Sequence, residues 1–378
     1  MDTVTQTSPK TGLTAAEQQY PLPPSRWDAS VYTDPDRYRS ELTAVFHHSW
    51  FPVHPSRDLP RARDFLTWDR IGQSIVITRL DDGSVRAWHN VCQHRGARLV
   101  NGSGNCGRAR FTCPWHGFVY DLEGMVGAVP LRESFDEEAL RGLRAPAVQV
   151  TEWAGWIWLA LSDDVPPLLD HLGAIGTELA GYGLEGFTTR FRTSVRLKVN
   201  WKIAVDGFNE TWHVPFTHPH TLAGLVMWRD AVLRISSPHS WMTLPIRGYT
   251  ERAKATDDHR ASHLCHYLVF PNTIFSCFPT HLQMWSAWPV SVDETELCAY
   301  EVVGPPPAGK TAEQWDRHNR RDWQQFLDVL NEDAEVINDI STVIGSLGFR
   351  GSMFNTAESR LTAFHREIAR RIGEEEPA

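Results

Sequence analysis

Cys92-Gln-His94 and Cys113-Pro-Trp-His116 set two thiols and two imidazoles in a C-x-H pair and a C-x-x-H pair, 18 residues apart. Thiolate and neutral imidazole are ligands for iron and zinc, and each pair falls in a glycine-containing turn after an apolar run, so two loop tips can close on one site. An iron–sulfur cluster with thiolates on one iron and imidazoles on the other needs such a pair of loops. Its neutral histidines place the potential at roughly −150 to +300 mV, which suits a one-electron relay toward oxygen chemistry. A structural zinc is the competing reading, although zinc pairs more often run Cys-Cys and then His-His.

A second constellation lies downstream in Asp206-Gly-Phe-Asn-Glu210-Thr-Trp-His213-Val-Pro-Phe-Thr-His218. Five residues on a continuous helix turn through about 500°, which would point the two imidazoles apart. Pro215 is expected to end the helix near Val214 and let the chain bring His218 round to the point that His213 faces. One carboxylate would then complete a two-histidine facial triad, which leaves Fe(II) positions open for oxygen. His220, His239, His263, His266 and His281 are read as ordinary polar residues.

These side chains need two kinds of scaffold. From Phe65 to Cys92 the pattern is of short apolar runs, with Asp82-Gly83 as a hairpin turn between Ser74–Thr78 and Val85–Trp88, and a small all-β module closes near Trp153–Leu161. Phe191, Thr193, Val195, Leu197 and Val199 alternate with basic residues as in a half-buried strand. His266–Phe270, Gln283–Trp288 and Glu296–Val303 are strand-like, and Thr311 to about Ile340 has helical length and periodicity. The expected fold is α+β, with an antiparallel sheet and helices on one side in the second half. The first thirty residues resemble a flexible arm, followed by an amphipathic helix from Asp34-Pro35 to about Trp50. Boundaries are expected at 1–44 for the arm and helix, 45–165 for the β-domain and 166–378 for the second domain.

The chain has 378 residues, 42 % of them hydrophobic, with 16 Trp and 17 Phe, enough for a large core in two domains. A net charge of −9 with scattered basic residues argues against nucleic acid as a partner. The polar N-terminus does not resemble a secretory signal and no apolar run is long enough for a bilayer, so a cytoplasmic protein without membrane contact is expected. The 6 cysteines do not suggest a disulfide scaffold, and Cys106 is expected as a buried free thiol.

Cys92-Gln-His-Arg-Gly96 and Cys113-Pro-Trp-His-Gly117 resemble the two cluster-binding loops of the Rieske non-haem iron oxygenases, the aromatic-ring-hydroxylating family of terminal oxygenase (alpha) subunits. Rieske proteins of respiratory complexes carry a further cysteine in each loop, whereas Arg95 and Gly96 follow His94 directly here, which favours the oxygenase branch. The resemblance covers nearly the whole chain. It implies an N-terminal Rieske [2Fe-2S] β-domain, a C-terminal helix-grip catalytic domain with mononuclear Fe(II), and O2 as co-substrate. His213 and His218 take the iron positions, with Asp333 as the third ligand in Asn331-Glu-Asp-Ala-Glu-Val336, where Asp328, Glu332, Glu335 and Asp339 are read as solvated. The family forms head-to-tail rings, usually homotrimers, in which electrons cross a subunit boundary through a carboxylate three residues before the first iron histidine. That position is Glu210, linking His213 to the partner subunit's His116, where most members have Asp and the quaternary-ammonium subgroup has Glu. Asp206 stands where many members have Asn near the iron, and it is read equally as a helix acid paired with a base and as a catalytic-site residue that tunes the iron.

No G-x-G-x-x-G fingerprint is present, so electrons from NAD(P)H must arrive through a reductase and possibly a ferredoxin. Leu222, Leu225, Val226, Met227, Trp228, Trp241, Phe275, Phe278, Met284, Trp285 and Trp288 are available for a pocket, which suggests hydroxylation or oxidative demethylation of a small, mostly apolar aromatic or alicyclic substrate. The same tryptophans suit a quaternary amine. A Rieske electron-transfer protein without oxygenase activity is the reading of a different class. Glu251–His259 is read as a loop that could cover the pocket.

Overall fold

The computed structural model describes residues 21–248 and 258–375. Most of the expected arm and most of the expected covering loop lie outside them. Within them, Ser25–Trp27 pairs antiparallel with Ser352–Phe354, so the last residues of that arm are pinned rather than free. Asp34 accepts hydrogen bonds from the N–H groups of Asp36 and Arg37 and caps the helix Pro35–Glu41. A π-helical turn, Leu42–Phe46, ends the helix short of the predicted Trp50, which instead opens the strand Trp50–Pro55. The wider π-turn re-aims Val45 and Phe46 into the core, where Phe46 stacks on Phe51.

The N-terminal module is a seven-stranded sheet in the order Trp50–Pro55, Trp156–Ala160, Ala147–Trp153, Val85–His89, Gln73–Arg79, Asp64–Arg70 and Ser103–Asn105. A three-stranded sheet of Arg110–Thr112, Val119–Asp121 and Val126–Ala128 stands beside it. The Asp82-Gly83 hairpin forms as predicted, with Gly83 at φ +86°. A second seven-stranded antiparallel sheet runs Thr188–Leu197, Glu294–Val303, His281–Ser291, Thr273–Cys277, His263–Val269, His239–Pro245 and Val232–Ser236. Three of these strands, 232–236, 239–245 and 273–277, escape the apolar pattern, because inward positions such as Ser240 and Ser276 are polar. One sheet face packs Trp241, Tyr267, Phe275 and Met284 against Trp156 and Trp158. The other faces the helices Trp201–Phe208 and Ala312–Val343, giving the α+β class expected. Among the described residues no helix is long and apolar enough to cross a membrane.

The long helix starts on a capping box, Thr311 with Gln314, one residue after the expected start. A buried ion pair fixes the shorter one. Lys202 Nζ donates to Glu41 Oε2 at 2.7 Å and Trp201 Nε1 donates to the same oxygen at 2.9 Å, while Arg37 Nε donates to Oε1 at 3.2 Å. Burial drives the Lys202 pKa down, only partly countered by Glu41. The N-terminal helix is thereby clamped to the helix that leads into the second constellation. Glu41→Ala leaves Lys202 buried without its counter-charge and is expected to cost about 3–5 kcal/mol. The midpoint of urea unfolding measures this, and an unshifted midpoint would show that the clamp is not structural.

Candidate metal centres

The two loops of the first constellation close in the same way. Cys92 N–H donates to Ala97 O at 2.8 Å and Gly96 N–H to Cys92 O at 2.9 Å; Cys113 N–H donates to Phe118 O at 2.8 Å and Gly117 N–H to Cys113 O at 3.1 Å. Gly96 and Gly117 both sit at φ +74°, a left-handed conformation that explains the glycine in each motif. Cys92 and Cys113 are buried, and the rings of His94 and His116 lie 4.6 Å apart at 72°. The Tyr120 hydroxyl donates to Cys92 Sγ at 3.4 Å and accepts from Gln93 N–H at 2.8 Å. Burial raises the Cys113 pKa, but the backbone N–H groups of His116 and Trp115 outweigh it and favour the thiolate. His94 Nδ1 is buried with no partner. Thiolates inside and imidazoles at the tip fit a [2Fe-2S] cluster with one pair on each iron. Cys106 is free but only half-buried, its thiol donating to Arg110 O, which corrects the expectation of burial.

In the second constellation Asn200 caps the helix Trp201–Phe208, which ends at Asn209, well before Pro215. Pro215 therefore opens a helix instead of ending one. Val214–Thr217 is a separate four-residue helix with His213 and His218 at its two ends, which brings their ring centroids within 5.1 Å. The long helix adds Asp333, and ligand atoms of His213, His218 and Asp333 lie within 4.8 Å of one another. His218 Nε2 is 3.0 Å from Asp333 Oδ1, yet it and Asp333 Oδ2 are buried without a hydrogen-bond partner. Donor atoms converging unpartnered in this way fit a cation at their centre.

Behind the histidines stand further carboxylates. Glu210 Oε1 takes His213 Nδ1, and Glu210 Oε2 takes the backbone N–H groups of Trp212 and His213. The contact spans a turn rather than the continuous helix face expected. Glu332 Oε2 accepts from His218 Nδ1 at 2.6 Å and from the Thr221 hydroxyl at 2.7 Å. Glu332, read as solvated, thus orients His218; its adjacency to Asp333 was the available signal, since consecutive helical residues flank one point at about 100°. Burial lowers the His218 pKa, but Asp333 and Glu332 together outweigh it and hold it above the usual value. Asp328, Glu335 and Asp339 are exposed as expected. Asp206 turns from this centre to His365 Nε2 at 3.0 Å and the Tyr32 hydroxyl at 2.9 Å.

The centre opens into a cavity of about 240 Å³ between the sheet and the long helix. Leu222, Leu225, Val226, Phe278 and Trp285 line it as expected. Met227, Trp228, Trp241, Phe275, Met284 and Trp288 do not, while His266, His281 and Gln283 do. For the strand residues parity decides this, because Met284 and Trp285 point to opposite faces, whereas Met227 and Trp228 lie in a turn. Replacing Glu332 by Ala frees the His218 ring and is expected to weaken iron retention about 10- to 100-fold, measured as iron per chain after graded chelation. Retention equal to wild type would deny Glu332 that role.

Residues 49–146 match the Rieske [2Fe-2S] domain and residues 184–374 the ring hydroxylating alpha subunit (catalytic domain). The carnitine monooxygenase oxygenase subunit of Escherichia coli (strain K12) is 30 % identical over 85 % of this chain and 85 % of its own length. The glycine betaine monooxygenase oxygenase subunit of Chromohalobacter salexigens is 30 % identical over 53 % of this chain, and that alignment spans only 44 % of the relative. The structure of the quaternary ammonium Rieske monooxygenase CntA in complex with L-carnitine superposes with a TM-score of 0.76 at 22 % identity, covering 92 % of this chain and 95 % of that one. Two metal-binding motifs, the two folds that carry them and these matches agree, and the chain belongs to the Rieske non-haem iron oxygenases, whose alpha subunits combine a [2Fe-2S] cluster with a catalytic mononuclear iron and use O2.

Proposed function

We infer that this chain is the terminal oxygenase of a multicomponent cytoplasmic system, supplied with NAD(P)H-derived electrons by a separate reductase or ferredoxin, and that its substrate carries a quaternary ammonium group. The observation that supports the substrate class is the charge of the cavity. Among the described residues its lining includes the Glu210 and Asp333 carboxylates at the iron end and neither lysine nor arginine, and the rings of Phe208 and Trp285, which also line it, meet edge-on. Carboxylates and aromatic faces attract a cation that cannot donate a hydrogen bond. The expectation of a mostly apolar aromatic or alicyclic substrate gives way to this reading, in line with the carnitine and glycine betaine monooxygenases among the relatives.

In this account 45–165 carries the cluster on Cys92, His94, Cys113 and His116, and 166–378 holds iron on His213, His218 and Asp333. When bound, the cluster supplies single electrons and the iron activates oxygen. Glu332 and Glu210 accept the Nδ1 protons of the two histidines, which turns each Nε2 lone pair toward the ion. The cavity wall keeps the reacting carbon in place and bulk water out.

Large apolar side chains stand exposed beside both centres: Trp115 next to His116, with the Arg95 guanidinium 4.2 Å above its ring, and Trp212 and Phe216 around His213. Such groups suit burial between copies of the chain. A homotrimeric ring, with Glu210 bridging His213 to the partner subunit's His116, accounts for them and parallels the inter-subunit electron transfer described for CntA. Asp206, held by Tyr32 and His365, would tune the centre only from behind.

With a surrogate reductase, trimethylammonium compounds should stimulate O2 uptake. Under single turnover Glu210→Gln should slow reoxidation of the cluster about 10- to 100-fold with both metals still bound. Wild-type reoxidation in the variant would remove Glu210 from the electron path, and indifference to every quaternary ammonium compound would remove the substrate class.

A further inference from the structure

The cavity does not end at the metal. One stripe of the long helix, His318, Asp322, Gln325, Phe326, Val329 and Asp333, lines it from end to end. Asp322 and Asp333 stand eleven positions apart, which carries the stripe about 16 Å along the helix axis. A nitrogen whose methyl or methylene group is oxidised at the iron stays within a few bonds of Asp333. Asp322 is therefore too distant to bind that nitrogen and must face another part of the ligand.

A polar row crosses the sheet floor of the cavity. His266, Ser276, Gln283 and Glu301 are cross-strand neighbours on one face, linked by Ser276 with His266 Nδ1 at 3.3 Å and Gln283 Nε2 donating to Glu301 Oε2 at 3.3 Å. Along its strand Gln283 stands between Trp285, which packs on Phe208 beside the metal helix, and His281, whose Nδ1 is 3.7 Å from Asp322. Glu301 is fully buried, and its Oε1 has no partner. A buried carboxyl with an open oxygen costs stability unless a ligand or water completes it.

Asp322 supplies the carboxylate that lines the cavity at this end. Burial pushes the Glu301 pKa up to about 8, with Asp322 adding to the rise, and burial also raises Asp322 against the pull of His318, Arg321 and Lys310. His281 is held neutral by burial, and His318 Nε2 already pairs with Asp322 at 3.2 Å. Arg321 and Lys310 lie outside the cavity lining. Of these two acids only Asp322 lines the cavity, so it repels an arriving carboxylate and accepts an ammonium or other donor group, while Glu301 sits behind the lining and holds Gln283 Nε2.

The geometry points to a second, distal subsite at Asp322 and Gln283, with Glu301 behind them holding the Gln283 amide, that binds a cationic or hydrogen-bond-donating group on an elongated substrate, far from the carbon that is oxidised. It deepens the quaternary-ammonium reading and rests on it for the iron end alone. A compact betaine would leave the subsite empty, whereas a long-chain trimethylammonium compound ending in an amine would fill both ends.

The test uses the anaerobic, iron-loaded holoenzyme and calorimetric binding of alkyl chains long enough to span about 16 Å. Each chain carries a trimethylammonium or an uncharged tert-butyl head and ends in an amine, a methyl or a carboxylate. A charge-assisted hydrogen bond predicts that the amine tail binds about tenfold or more tighter than methyl, with carboxylate weakest, whichever head is present. Asp322→Asn and, separately, Gln283→Leu should shrink that amine-to-methyl ratio. Equal binding of the three tails, or preference for carboxylate, in both head series overturns the subsite. A trimethylammonium head no tighter than tert-butyl overturns the reading at the iron end, while the tail comparison still decides the distal one.

Discussion

Two adjacent carboxylates on one long helix hold the centre together. Asp333 meets His213 and His218 face-on, and Glu332 takes the far side of the His218 ring, so a single helix sets both the position and the rotation of the imidazole. With Glu210 on His213, three acids surround two histidines in a largely buried site. Such a concentration of negative charge is costly away from water unless a cation sits within it. The fold serves this demand: the Glu41–Lys202 clamp fixes the helix that leads into the histidine turn, and the sheet supplies the floor against which the long helix is laid.

The same long helix links the chemistry to the substrate. Its stripe from Asp333 to His318 changes from metal-facing to apolar to polar while remaining on one cavity wall, and the opposite wall follows from Trp285 to His281. The cavity therefore has an end at His213, His218 and Asp333 and a polar end at Asp322 and His318. An apolar lobe of Leu222, Leu225, Val226, Met242 and Leu244 opens to the side. On the proposed reading, specificity would follow from the spacing of these regions, separately from the residues that would hold iron.

How much of this could be read from the sequence depends on how local each feature is. The cluster loops were legible because four ligands and two glycines lie in two contiguous runs, and one turn geometry explains both. His213 and His218 were legible as a pair, but the reason offered was inverted: Pro215 starts the short helix between them, since its fixed φ suits a first turn as well as it disrupts a later one. Asp333 needed the family resemblance, because nothing in the local sequence says which acid of a long helix looks inward. Glu332 is not legible from the local sequence, because a helical neighbour of an inward acid ordinarily faces solvent, and only the tertiary contact with His218 and Thr221 turns it inward. Cavity residues were recovered only in part for a different reason. Trp285 and Met284 are equally apolar, and only the register of 281–291 with 273–277 and 294–303 determines which one faces the cavity. The polar row through Gln283 and Glu301 was hidden for the same reason, its members being scattered along the sequence and joined only by strand pairing.

The central claim is that one chain carries two different iron centres, and metal content with spectroscopy tests it most directly. After anaerobic purification, iron and acid-labile sulfide per chain would be measured and the EPR spectrum recorded on dithionite reduction. The account predicts about three irons and about two sulfides per chain, with the low average g value of a histidine-ligated cluster. Zinc without sulfide would contradict both centres, and about two irons with the same cluster signal, unchanged after anaerobic Fe(II) loading, would contradict the site at His213, His218 and Asp333.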